Sequence, residues 1–352
     1  MNPDMLRRIP LVARPRPACT PLHQRIADLN HRATLAARTG DVTAAVAVFN
    51  LAALLASDCG CADLARQWCH QLANTVFRHR RDPRHGLEPI VNLARLHIRA
   101  GDGTTAWHLL ESLYQAVDNR TDTVIGGLTI PVEQITSTAA VHGRLRSWLW
   151  TVLLSTGAQA LAAAGRWDDA RHRLERHKGI GRRMLDGRQI AIIAHIVAGD
   201  RDAALTMLRT TPPGEPWEDA VTACFRLACG DSSASIEATA TFLALDQAEP
   251  HFAVFRTRLG LTVIDALSAP THPASHAIAA CLTRYAAEDG YAARELLTHP
   301  LIHNALTDYQ ARQLAALVED CGLDHRANPQ DLLSQLGATL DIADAVVTRR
   351  SH

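Results

Sequence analysis

Apolar residues recur along most of the chain at intervals of three and four, the spacing that lines one face of an α-helix. Leu22, Ile26, Leu29 and Ala33 set the first stripe, which stops at Thr39-Gly40-Asp41. A nearly all-apolar helix is predicted next, over about 42–56, and a third over about 62–77. The polar run Arg78 to His85 reads as a connection, followed by a helix pair over 88–100 and 103–117. Further helices are expected near 144–164, 167–177, 184–198, 202–210, 216–229 and 231–245, with Pro212-Pro213-Gly214 and Glu249-Pro250 as turns. Periodicity continues near 251–268, 274–287, 290–298, 305–321 and 329–347. The last of these places Leu332, Leu333, Leu336, Leu340 and Ala343 on one face, as a cap over the final apolar surface. Only Thr123 to Ile130 departs from the helical pattern. There, two short β-branched runs flank Gly126-Gly127, the signal of a β-hairpin, read as a small surface insert. Residues 1–21, with Pro3, Pro10, Pro15, Pro17 and Pro21, read as an irregular arm.

Five glycines share a register. Gly40, Gly101, Gly165, Gly199 and Gly230 are followed five residues later by Ala45, Ala106, Ala170, Ala204 and Ser235. Four residues beyond these come Phe49, Leu110, Leu174, Leu208 and Thr239. Gly165 and Gly199 lie 34 apart, and Gly199 and Gly230 lie 31 apart, a period that means stacked helical hairpins.

This glycine, alanine and large-residue spacing resembles tetratricopeptide repeats, over residues 22–245 in five or six degenerate copies. The chain departs from the family in lacking its first-helix Trp and Tyr and in carrying the hairpin insert. The resemblance implies an all-α, right-handed α-α superhelix, with 246–352 as a helical extension and cap. It also implies a concave groove of first helices that holds a peptide. Where family members grip a C-terminal carboxylate, Asn and basic residues project from first helices. Asn92, with Arg95 and Arg99 along the same helix, falls at such positions. The equivalents in later copies are Thr156 and Ile190, so the full clamp is not reproduced. The chain is similar to the repeat halves of actinobacterial helix-turn-helix regulators, with no room for the DNA-binding half before residue 22.

Composition supports helix over sheet: 47% of residues are hydrophobic and only 5% aromatic. No segment reaches the roughly 18 uncharged apolar residues of a membrane span, and no signal-peptide core opens the chain, so the expected location is the cytoplasm. Eight scattered cysteines suit buried thiols in a reducing compartment. The formal charge is zero, but residues 1–188 carry 25 basic and 16 acidic side chains and residues 189–352 carry 11 and 20. That asymmetry makes the sequence an electrostatic dipole.

The strongest local anomaly is Arg171 to Arg188, where seven Arg or Lys and two His face Glu175 and Asp186. It reads either as a solvated helix end or as an anion or acidic-peptide site with Arg182, Arg183 and Arg188 as donors, joined by Arg144 and Arg146. Cys59, Cys61, Cys69, His70 and His79 have metal-ligand chemistry, but a Cys-x-Cys pair lacks zinc-site spacing and packing is the expectation. No phosphate loop, nucleophile elbow or zinc-protease motif is present, and Asp168-Asp169 reads as a helix start. Trp107, Trp148, Trp150 and Trp167 read as core. The residues favour a cytoplasmic, non-catalytic adaptor or sensor that binds a peptide or protein, with no cofactor, metal, membrane or nucleic-acid partner implied. It would serve in bacterial regulation or present a precursor peptide to modifying enzymes. The alternatives are an enzyme with a site between the hairpin and the Arg171–Arg188 segment, and a homodimeric scaffold.

Overall fold

The computed structural model describes residues 1, 3–245, 250–267, 272–323 and 328–349. The chain is all-α with one small β-hairpin. It runs α1 (Pro3–Arg8), α2 (Leu22–Thr39), α3 (Val42–Asp58), α4 (Ala62–Arg78), α5 (Pro83–Arg99) and α6 (Gly103–Asn119), then strands β1 (Thr123–Ile125) and β2 (Leu128–Ile130). Next come α7 (Val132–Ile135), α8 (Ala139–Val152), a π-helical segment over Leu153–Gly157, α9 (Ala158–Ala163) and α10 (Trp167–Arg176). They are followed by α11 (Asp186–Val197), α12 (Arg201–Arg209), α13 (Pro216–Ala228), a 3₁₀ turn at Ser232–Ala234 and α14 (Ser235–Ala244). After a second 3₁₀ turn at Pro250–Phe252 the chain continues through α15 (Ala253–Leu267), α16 (Pro273–Ala286), α17 (Gly290–Thr298), α18 (Pro300–Ala305), α19 (Asp308–Asp320) and α20 (Pro329–Thr348).

The glycine register is a turn with defined chemistry. All five glycines adopt the left-handed conformation, with φ between 70° and 82°. The residue after each donates its N–H to a carbonyl five positions back, as in Asp41 to Ala36 (3.1 Å), Asp102 to His97 (2.9 Å), Arg166 to Leu161 (2.9 Å) and Asp200 to His195 (2.9 Å). This closes the preceding helix. Asp41, Asp102 and Asp200 then open the next one, accepting from the N–H of Ala44, Thr105 and Ala203. The small residues Ala45, Ala106, Ala170 and Ala204 are fully buried. The fifth copy shifts by one residue: Ala234 is fully buried and Ser235 is not. A 3₁₀ turn advances three residues per turn rather than 3.6, so the inward position arrives early.

Three helices end on a left-handed cation instead of a glycine. Arg80 after α4, Arg120 after α6 and Lys178 after α10 take φ of 50°, 54° and 53°. A non-glycine in that region costs about 1–2 kcal/mol, and a cation at a helix C-terminus offsets part of it.

Contacts divide the chain into two compact units: unit 1 is Met1–Thr20 with Leu161–Cys321, and unit 2 is Pro21–Ala160 with Gly322–His352. This division differs from the sequence boundaries at 21, 22, 245 and 246, because both chain ends pack non-locally. Unit 1 holds 20 basic and 21 acidic side chains, unit 2 holds 16 and 15, so the charge asymmetry along the sequence does not separate the units.

In unit 2, consecutive helices from α2 to α6 pack on one another and α8 packs on α6. Helix α20 lies on α2, α3 and α4, burying Leu332, Leu336, Leu340, Ala343 and Val347, while Leu333 faces out. Arg81 Nε donates to the Val347 carbonyl (2.7 Å), closing the end of α20. The hairpin pairs Thr123 with Ile130 and Ile125 with Leu128 across a Gly126-Gly127 turn with φ of 59° and 81°. Its inward side chains Ile125, Leu128 and Ile130 are buried, so it packs on α4 and α6 as well as forming surface. Trp107 is fully buried and lies against Gly157, where the π segment ends.

In unit 1, α15 is buried on nearly every side and contacts α1, α13, α16 and α17. Helix α5 and the Pro-rich arm both exceeded the local reading. Asp82 caps and Pro83 starts α5 five residues early. The arm over 9–20 is irregular yet buried at Ile9, Leu11 and Cys19. Leu11 exchanges two 2.7 Å hydrogen bonds with the buried Gln189 side chain.

Candidate functional site

In unit 2, the side of α5 that faces away from the core is a polar stripe at helical spacing, Arg84, Glu88, Asn92, Arg95 and Arg99. Three of the sequence candidates therefore share one face. Asn92 Nδ2 donates to Asn50 Oδ1 on α3 (2.9 Å), and Arg95 Nη1 donates to Asn92 Oδ1 (2.8 Å). Asn50 and Asn92 are half-buried and Arg95 is exposed. Among the described residues the Asn50 amide nitrogen has no acceptor. A turn further on, Arg99 donates to Ser57 Oγ (2.9 Å) and Asp58 Oδ1 (2.8 Å), while Arg25 from α2 reaches Asp58 Oδ2 (2.6 Å). Asp58 is buried between two guanidinium groups.

Helix α8 continues the polar side. Arg84 pairs with Glu88 (3.0 Å) and stacks its guanidinium 5.3 Å from the Trp148 ring centre. Arg144 is exposed on the same helix, and Arg146 pairs with Asp118, which raises the Arg146 pKa through that hydrogen bond. Trp148 is half-buried and Trp150 is 37% exposed, so these two correct the core reading that Trp107 and Trp167 satisfy.

The remaining candidates lie in unit 1. Arg182 is exposed, but Arg183 pairs with Glu218 across to α13. Glu218 is buried and also accepts from Met184 N (3.2 Å). Burial works to raise its pKa, but the Arg183 pair and backbone N–H groups hold the carboxyl below the ordinary value. Arg188 is buried and donates to the carbonyls of Gly181 (3.1 Å) and Met207 (2.6 Å) and to Thr210 and Thr211 Oγ1. Both side chains are committed to holding the Arg171–Arg188 turn against α12 and α13. Arg171 bridges Asp168 and Glu175 on its own helix. The structure therefore groups Asn92, Arg95, Arg99, Arg144 and Arg146 in unit 2, and uses Arg183 and Arg188 as internal ties.

Two places in unit 1 have site-like features that the sequence did not flag. A cleft of about 940 Å³ between α12, α13 and α14 is lined by Leu205, Asp219, Thr222, Glu237 and Thr241. Arg226 crosses it to Asp231 (2.9 Å) and Glu237 (2.6 Å). A smaller cavity of about 250 Å³ borders Arg8, Arg258 and His299. There His299 Nε2 meets Asp265 Oδ1 (3.1 Å), and Arg8 Nη1 donates to Asp265 Oδ2 (2.7 Å). A His–Asp pair can serve acid–base chemistry. Here, however, His299 Nδ1 accepts from Ile302 N and caps α18, so both ring nitrogens are engaged. The signal was a histidine just before Pro300, an N-cap position that is not a frequent one for histidine.

Cys59, Cys61 and Cys69 are buried, and burial pushes the Cys69 thiol up to about 12. Among the described residues no three His, Cys, Asp or Glu side chains converge to hold a metal ion, and no helix is long and apolar enough to cross a membrane. The fold and site together define an all-α protein with a polar, cationic helix face. Compared with protein-family models, curated proteins and solved structures, the chain matches none.

Proposed function

We propose that this protein is a non-catalytic helical-repeat adaptor of the tetratricopeptide kind, and that unit 2 holds the carboxylate of an acidic peptide on the α3–α5 face. The observation that carries the reading is the Asn50–Asn92–Arg95 ladder, which spans two helices and leaves the Asn50 amide nitrogen without an acceptor among the described residues. Amide N–H groups beside a guanidinium are the donor set that a carboxylate accepts from. The Arg25 and Arg99 guanidinium groups on Asp58 and the Arg84–Trp148 stack extend a surface suited to acidic and aromatic side chains. The glycine-closed turns and fully buried alanines support the repeat assignment, and regulation in the cytoplasm is the setting that fits such an adaptor.

The test is an array of acidic peptides, each with a free C-terminal carboxylate or its amidated form, probed with the full chain. Free-acid peptides should bind and amides should bind more weakly. Asn92→Ala with Arg95→Glu should weaken capture roughly tenfold to hundredfold, the equivalent of one charge-assisted hydrogen bond of about 1.5–3 kcal/mol. Equal capture by the double variant would overturn the assignment of this face.

A further inference from the structure

The arm of unit 1 ends in a crowded sulfur site. Cys19 N donates to Asp289 Oδ2 (2.9 Å), and Gly290 N donates to the Cys19 carbonyl (2.8 Å), which fixes Cys19 against the start of α17. Cys321 arrives just after α19 and donates its Sγ–H to the same Cys19 carbonyl (3.1 Å). Position 290 is glycine for a steric reason: a Cβ there would lie 2.6 Å from Cys321 Sγ and 3.2 Å from Cys19 Sγ. Both distances run to one point, so the two sulfurs cannot be further apart than their sum. Both cysteines are fully buried, neither is in a disulfide, and 302 residues of chain separate them.

We propose that Cys19 and Cys321 form a redox pair that a peroxide converts to a disulfide, stapling the N-terminal arm to the end of α19. One thiolate attacks hydrogen peroxide, giving a sulfenic acid and releasing hydroxide, which takes up a proton to become water. The second thiol loses its proton, attacks the sulfenyl sulfur and expels a second water. Two thiols are oxidised by two electrons and one peroxide is reduced to two waters. Both sulfurs are buried, so peroxide reaches them only when residues 9–20, which contain no helix or strand but are tied down by the Leu11–Gln189 and Cys19–Asp289 hydrogen bonds, open locally. With no Cβ at Gly290 between them, the two sulfurs can share that position.

The experiment treats the reduced full-length protein with hydrogen peroxide, blocks remaining thiols with iodoacetamide and digests it without reductant for mass spectrometry. The expected result is one dominant cross-linked peptide joining Cys19 to Cys321, about 2 Da lighter than its two reduced parts and reversed by dithiothreitol. Oxidation should also raise the thermal midpoint of the parent, and Cys321→Ser should abolish that rise. The proposal is overturned if Cys19 and Cys321 remain separately alkylated, are oxidised separately to sulfinic acids, or pair instead with other cysteines.

Discussion

Substituting Gly101 by Ala and Gly143 by Ala adds the same methyl group to the same kind of open space, since a Cβ at either position meets no atom within 4 Å. The two changes should nevertheless move stability in opposite directions. Gly101 closes α5 at φ 80°, where a residue with a Cβ costs about 1–2 kcal/mol. Gly143 sits within α8, where alanine is favoured over glycine by about 0.5–1 kcal/mol. The gap between the two variants should therefore be about 1.5–3 kcal/mol. At about 2–4 °C for each kcal/mol in a unit of this size, it is readable by calorimetry and by urea unfolding. Gly101→Asn should recover part of the loss, because asparagine visits the left-handed region more readily. Gly101→Ala as stable as the parent would refute the claim that this turn needs glycine, and with it the physical basis of the whole register.

Other consequences follow from packing and charge. Ala106→Leu and Ala170→Leu should each cost about 1–3 kcal/mol by overpacking, whereas Ser235→Leu should be tolerated and Ala234→Leu should not; denaturation midpoints separate the cases. Removing Asp265 leaves the buried Arg8 without its carboxylate, so Asp265→Asn should cost about 3–5 kcal/mol at neutral pH. Burial works to raise the Asp265 pKa, but bonds from His299 and Arg8 outweigh it and hold the carboxyl below its unfolded value. Its contribution is thus complete above about pH 4, the ordinary aspartate pKa, and is lost as pH falls through the depressed value. Melting temperatures of parent and Asp265→Asn should converge on acidification; parallel curves would refute this coupling. Arg188→Ala should destabilise unit 1, while the exposed Arg182→Ala should leave melting unchanged.

Local chemistry made much of the fold legible. Glycine followed by Asp marks a helix stop and a helix start within two residues, and the Gly126-Gly127 hairpin has a turn signature that needs no tertiary context. Distant partners were not legible. Nothing around Leu11 announces that it pairs with Gln189, and nothing in the apolar stripe of α20 states that α2, α3 and α4 receive it. In the fifth copy the fixed spacing points to Ser235, whereas the 3₁₀ turn places Ala234 inward. At the site, Asn92, Arg95 and Arg99 could be placed on one face from spacing alone. That Arg183 would be drawn to Glu218, and Arg188 to the end of α12, depends on loop geometry that periodicity does not encode.

The central claim concerns where a peptide sits, so localisation tests it most directly. An acidic peptide with a free C-terminal carboxylate and a photoreactive residue near that end should be bound to the full chain and irradiated, and its attachment sites mapped by mass spectrometry. Cross-links confined to α3, α5 and α8, and reduced by Asn92→Ala with Arg95→Glu, are the predicted result. Attachment in the cleft between α12 and α14, or a pattern unchanged in the double variant, would contradict it.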